Sequence, residues 1–159
     1  MAIDLRFIVA VLKINNDLER IGDLAVNIAG RAIGLATETT PPTPFFDLHI
    51  MAEKAQSMLK RSLDSLVSLN TQLANKVCAD DDEVDALHRR MYDQVEDEIR
   101  KNPESMHALI QLLSVSRCLE RIADLATNIA EDITYMLQGE IVRHGGEHPA
   151  PPGSEPAKT

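Results

Sequence analysis

Twelve residues, LERIGDLAVNIA at 18–29, return as LERIADLATNIA at 119–130, differing only at Gly22/Ala123 and Val26/Thr127. A near-verbatim internal copy constrains the fold more than any other feature, because both copies must take the same local structure and present the same faces. The copies keep a charged row as well as an apolar one, so a shared surface was duplicated along with a shared core.

Both copies read as helix. From about residue 3 to residue 36, Val11, Ile14, Leu18, Ile21, Ala25 and Ile28 recur by three and four, the stripe of a long amphipathic helix. Residues 37–45, rich in Thr and Pro, cannot extend it because proline lacks the amide donor, and they form a linker. A second helix is expected from about Phe46 to Leu69 on Leu48, Met51, Ala55, Met58, Leu59, Leu63, Leu66 and Leu69. Asn70 then caps a third, whose stripe is Leu73, Val77, Val84, Leu87, Met91 and Val95. Asn102 and Pro103 open a fourth helix that runs to about Gln138, with Gly139 as its stop. Residues 145–159 hold too little apolar surface to offset the entropy of ordering and are expected to be a disordered tail. The fold class is therefore all-α, four long helices. With 3% aromatic residues and no Trp, the core must be aliphatic, which suits helices better than a sheet.

With Leu18 at zero and 100° per residue, Ile14, Ile21, Ala25, Ile28 and Val11 gather around roughly 320°, while Glu19, Asp23 and Asn27 fall at about 100°, 140° and 180°. Glu19 and Asp23 are thus neighbours on a face turned from the core, and Glu120, Asp124 and Asn128 repeat that ladder. Like charges at i, i+4 repel, so a chain that keeps the pair twice calls for a cation or an Arg to offset it. The third helix adds Asp81 and Asp85 within the run Asp80 to Asp85, flanking its core stripe where they can reach a neighbouring helix. Two such pairs on adjacent helices make a hard, oxygen-rich site for Mg, Mn, Ca or Fe. Acidic pairs are also common on solvated helix faces; the duplication and the extra pair are what favour ligation here.

These residues carry a family resemblance. The doubled LERIxDLAxNIA, the DDEVDAL before the second copy, and TNIAEDITYMLQGEIVRH after it resemble the PhoU family over essentially Asp4 to His144. The resemblance implies two three-helix repeats related by pseudo-symmetry, with multinuclear metal clusters held by E/DxxxD pairs. On that pattern residues 1–36 are the third helix of a first repeat and residues 46–140 a complete second repeat. Glu19 and Asp23 match the motif of the first repeat; Asp81, Asp85, Glu120 and Asp124 match those of the second. The expected cofactor is a divalent or trivalent ion: Fe, Mn, Mg or Zn. Leu125 stands where many members have His. The chain begins where the family's third helix begins, which leaves Glu19 and Asp23 as half a site. The first helix's stripe is worth on the order of 10 kcal/mol of burial. The expectation is that it joins the other helices as a fourth bundle member, or that two chains exchange first helices in a homodimer, or that the shortened chain folds poorly alone.

The resemblance also implies function: a cytoplasmic regulator connecting the ATPase subunit of a phosphate ABC transporter with a sensor histidine kinase, repressing the phosphate-starvation response. The expectation is that the chain is not an enzyme, since it holds no Gly-rich phosphate loop, no GxSxG and no HExxH. A net charge of -9 argues against duplex nucleic acid as partner. No apolar run reaches the roughly 18 residues of a membrane span, no signal peptide is visible, and Cys78 and Cys118 lack CxxC spacing, so a reducing compartment is expected. Three alternatives stand beside this: a ferritin-like diiron enzyme using ExxH at Glu104 and His107 or DxxH at Asp85 and His88, a PhoU-like module serving a sodium-phosphate cotransporter, and a helical scaffold without metal. Glu104 and Glu120 lie about 24 Å apart on one helix, which disfavours the diiron site. His88 and His107 are read as surface or helix-end residues. The methionines on apolar stripes are read as core filler, and Lys13, Arg20, Arg31 and Arg121 as a solvated face.

Overall fold

The computed structural model describes residues 2–37 and 47–144. Four long helices account for nearly all of them: α1 (Ala2–Ala36), α2 (Leu48–Ser68), α3 (Thr71–Lys101) and α4 (Met106–His144), with a 3-10 turn at Pro103–Ser105 ahead of α4. No strand occurs among the described residues. Most of the linker expected at 37–45, and the tail at 145–159, lie outside them.

α4 is the central element. It packs against α1, α2 and α3; α2 and α3 also pack on each other; among the described residues α1 packs on α4 alone. Residues 48–144 thus form a three-helix bundle, and α1 lies along one side of it. The main core gathers Met51, Ala55 and Met58 of α2, Ala74, Val77, Val84 and Leu87 of α3, and Leu119, Ala123, Ala126, Ile129 and Ile133 of α4. Met91, Val95 and Leu109 form a second cluster nearer the α3–α4 turn.

The α3 stripe is buried as read from Val77 to Val95, with Ala74 rather than Leu73 as its first fully covered residue. On α2 the buried face runs Met51, Ala55, Met58, Ser62, Ser65. The two serines are invisible to an apolar pattern. Each hydroxyl satisfies itself on its own helix, Ser62 donating to the Leu59 carbonyl (2.7 Å) and Ser65 to the Ser62 carbonyl (2.6 Å), so a small polar side chain fits a close helix contact without an unpaired group. Leu69, expected in the stripe, is exposed instead. It terminates α2 in the left-handed region (φ 51°, ψ 40°), with its N–H on the Leu66 carbonyl and the Asn70 N–H on the Ser65 carbonyl, a Schellman motif. Asn70 caps α3 as expected, its side-chain oxygen accepting from the N–H groups of Gln72 and Leu73.

Two readings need correction. On α1 the buried row is Ala10, Ile14, Asp17, Ile21 and Leu24, with Ile28 half-buried, whereas Val11, Leu18 and Ala25 are exposed. A helix gripped by one neighbour buries only a narrow seam of alternating three- and four-residue steps. The sequence's wider apolar arc does not say which edge that neighbour takes. On α4 the helix passes through Gly139 and continues to His144. A glycine stops a helix only where the chain turns into the left-handed region. Inside a helix a glycine only costs about 1 kcal/mol relative to alanine.

Candidate metal centre

The acidic run on α3 is divided between two neighbours. Asp80 pairs with Arg61 and Glu83 with Lys54, both on α2. Asp81 and Asp85, one turn apart, are left to face α4. Asp81, Asp85 and Asp124 each offer a carboxylate oxygen, and the three oxygens lie within 4.8 Å of one another. Two oxygens bound to one hard cation at about 2.0 to 2.6 Å can be no more than roughly 5 Å apart. The spacing therefore suits a single ion.

The electrostatics agree. Asp81 is raised to about 6, first by burial and then by the negative charges of Asp124, Asp85, Asp82 and Glu120. Burial also raises Asp124, with Asp85 adding to the effect and Arg121 opposing it. Burial raises Glu120, with Asp124 and Asp85 reinforcing and the positive sides of His88 and Arg117 countering. Asp81 Oδ1 is buried and has no hydrogen-bond partner. An acceptor-only oxygen in that state costs about 1 to 3 kcal/mol unless something electropositive meets it. A cation would satisfy that oxygen and relieve all three carboxylates together.

Of the six expected ligands, three come together and three do not. Glu120 faces the same α3–α4 seam but lies outside the three-oxygen cluster. Glu19 and Asp23 sit exposed on α1, which touches neither α2 nor α3. Arg121, read as part of a solvated face, is exposed and its charge opposes the rise at Asp124. Arg20 turns to Asp17 instead, 3.4 Å away. Beyond Asn128, the last step of the α4 ladder, opens a polar cleft of about 340 Å³ between α1 and α4, bordered by the 2.9 Å Lys13–Asp132 ion pair.

His88 corrects the sequence reading. It is half-buried, with Nδ1 2.8 Å from Ser116 Oγ. The Ser116 hydroxyl donates its one proton to the Leu113 carbonyl (3.0 Å), so it accepts from His88 Nδ1–H. The three-residue step from Asp85 to His88 was the available signal, since it puts both on one face. Ser116, completely buried, gave none. Glu104, in the 3-10 turn, and His107, in the first turn of α4, are in contrast exposed and more than four helical turns from Asp124 along the chain.

The sequence matches the PhoU domain model over residues 1–32 and 48–133. The chain belongs to the PhoU family. PhoU homologues named as phosphate-specific transport system accessory proteins resemble it across most of its length. The one from Aquifex aeolicus is 41% identical over 141 residues, covering 89% of this chain and 63% of that protein. That of Clostridium acetobutylicum is 37% identical over 142 residues, covering 89% and 64%. The crystal structure of PhoU from Pseudomonas aeruginosa superposes with a TM-score of 0.84 at 32% identity, covering 87% of this chain and 66% of that one. The chain thus spans just under two thirds of the length of these PhoU relatives. Among the described residues no helix is long and apolar enough to cross a membrane.

Proposed function

We propose that this chain is a non-catalytic regulator of phosphate uptake and of the phosphate-starvation response, acting in the cytoplasm as a homodimer. It works as an adaptor between the ATPase subunit of a phosphate ABC transporter and a sensor histidine kinase, and it holds the response down when phosphate is plentiful. The α3–α4 carboxylate centre binds Fe, Mn, Mg or Zn and fixes the surface that partners read. The observation that carries this reading is the coincidence of a PhoU fold with relatives named for phosphate transport. The acidic cluster with its unsatisfied Asp81 oxygen supports the metal part.

A regulator of this kind must meet its partners in a phosphate-dependent way. Capture of the tagged chain from phosphate-replete and from starved cells is expected to recover the transporter ATPase and the histidine kinase from the replete cells. Recovery of neither, under either condition, would contradict the assignment.

A further inference from the structure

The polar cleft between α1 and α4 is walled by Lys13, Asn16 and Asp17 on one helix and by Asn128, Glu131 and Asp132 on the other. It is a groove between the two copies of the repeat. α2 and α3, packed on α4, stand clear of α1, and helices packed the same way on the first copy would stand equally clear of α4. The internal repeat also supplies a reference for the chemistry of the groove. Carried in register beyond the twelve matching residues, Asp17 corresponds to Cys118, Glu131 to Gly30 and Asp132 to Arg31. None of the three carboxylates has an acidic counterpart, although Asn128 is matched by Asn27 and the Glu19–Asp23 ladder is copied intact. The acidity of the cleft is therefore particular to one end of the α1–α4 seam and is not a by-product of duplication.

Asp17 is the informative member. It is 8% exposed and sits in the buried row of α1 between Ile14 and Ile21, where a carboxylate is costly unless it is paired and hydrogen-bonded. Both of its oxygens can accept, yet among the described residues it receives one 3.4 Å contact, from the half-exposed Arg20. Lys13, the cation among the lining residues, is bonded to Asp132 (2.9 Å). Three carboxylates thus line the cleft against one ammonium. Spacing and volume decide which cation suits them. Among the described residues the carboxylate group close enough for a single metal ion is Asp81, Asp85 and Asp124, so Asp17, Glu131 and Asp132 do not close around one ion. A volume of about 340 Å³ is room for roughly ten waters, the lower end of the range for small-molecule sites. A molecule with positive charge at more than one point fits both facts. We propose that this cleft binds a short aliphatic diamine or polyamine, with ammonium groups on Asp17 of one wall and Glu131 of the other. The amide oxygens of Asn16 and Asn128 take remaining N–H donors. Because such a ligand ties α1 to α4, it stabilises the folded chain.

Calorimetric titration with putrescine and spermidine tests this, at about 0.15 M salt so that general attraction to an acidic chain is screened. Saturable binding of one molecule per chain is expected, with none of 1,4-butanediol, which has the length of putrescine without its charge. Asp17→Asn weakens putrescine binding at least about tenfold, and Glu131→Gln, at a more exposed position, at least about threefold. Asp85→Asn/Asp124→Asn removes two negative charges from the other acidic centre and changes the affinity less than about twofold. Putrescine raises the thermal midpoint of the wild type and leaves that of Asp17→Asn where it was. Helicity of each variant separates loss of the site from loss of the fold, and Glu131→Gln, which alters an exposed side chain, keeps the test decisive if Asp17→Asn misfolds. Absence of saturable binding by the wild type would overturn the proposal. So would binding that Asp17→Asn and Glu131→Gln leave intact, or that Asp85→Asn/Asp124→Asn weakens as much as they do.

Discussion

Asp81 is the residue at which the fold works against itself. Folding raises its pKa to about 6 from an ordinary 3.8, so between those values the folded chain holds a proton that the unfolded chain has released. Stability must then fall as pH rises through this window and stay reduced above it. Glu120 and Asp124, also raised, push in the same direction. The Asp81 carboxyl is only partly buried, and once solvent screening is allowed for, its ionisation costs on the order of 1 kcal/mol. Asp81→Asn should accordingly stabilise the metal-free protein by about 1 kcal/mol at pH 7 and by little at pH 4. Urea unfolding at the two pH values in chelator measures this. A destabilised variant at pH 7 would show that the carboxylate is already satisfied. Which carboxylates exist, and at what spacing, was legible in the sequence. Their partition was not: that Asp80 and Glu83 go to Arg61 and Lys54 while Asp81 and Asp85 go to α4 depends on how far α3 is rotated between two neighbours. His88 escaped for a related reason, because its partner Ser116 is a buried polar residue that no apolar pattern can locate.

At the scale of the elements, local signals held at Asn70 and along α3 but not at Asn102, whose side chain makes no capping hydrogen bond, nor at Gly139, which α4 passes through. Asn70 as a cap and the α3 stripe follow from neighbours in sequence, and both stand. The α1 stripe does not, because which third of a broadly apolar helix is buried depends on where α4 lies. Leu69 shows the same limit at a helix end. An apolar residue in register with the α2 stripe becomes the left-handed cap because Asn70 begins a new helix immediately after it. A leucine in that region is strained, by roughly 1 to 2 kcal/mol, and its side chain, 59% exposed, gains little burial in return. Leu69→Gly relieves the strain, with part of the gain offset by the greater freedom of the unfolded chain. The expected net effect is about 0.5 to 1 kcal/mol of stabilisation, seen as a higher urea midpoint with an unchanged slope. Destabilisation would mean that the Leu69 side chain contributes packing that its exposure does not suggest.

For the whole molecule, duplication explains both what is complete and what is not. The second copy of the repeat lies under α2 and α3, and the same packing that buries its apolar row draws Asp124 to Asp81 and Asp85. The first copy has the same row and the same carboxylate ladder, but among the described residues only α4 lies beside it. One sequence unit thus gives a built acidic centre in one place and an open apolar face in the other, according to its neighbours. Whether the α3–α4 centre holds a cation is decided by calorimetric titration of the chelated protein with Mn²⁺, with Asp85→Asn/Asp124→Asn as the control. Saturable binding of at least one ion per chain is expected of the wild type and is lost in the double variant while its helicity is retained. Equal binding by the two, or none by the wild type, would contradict it.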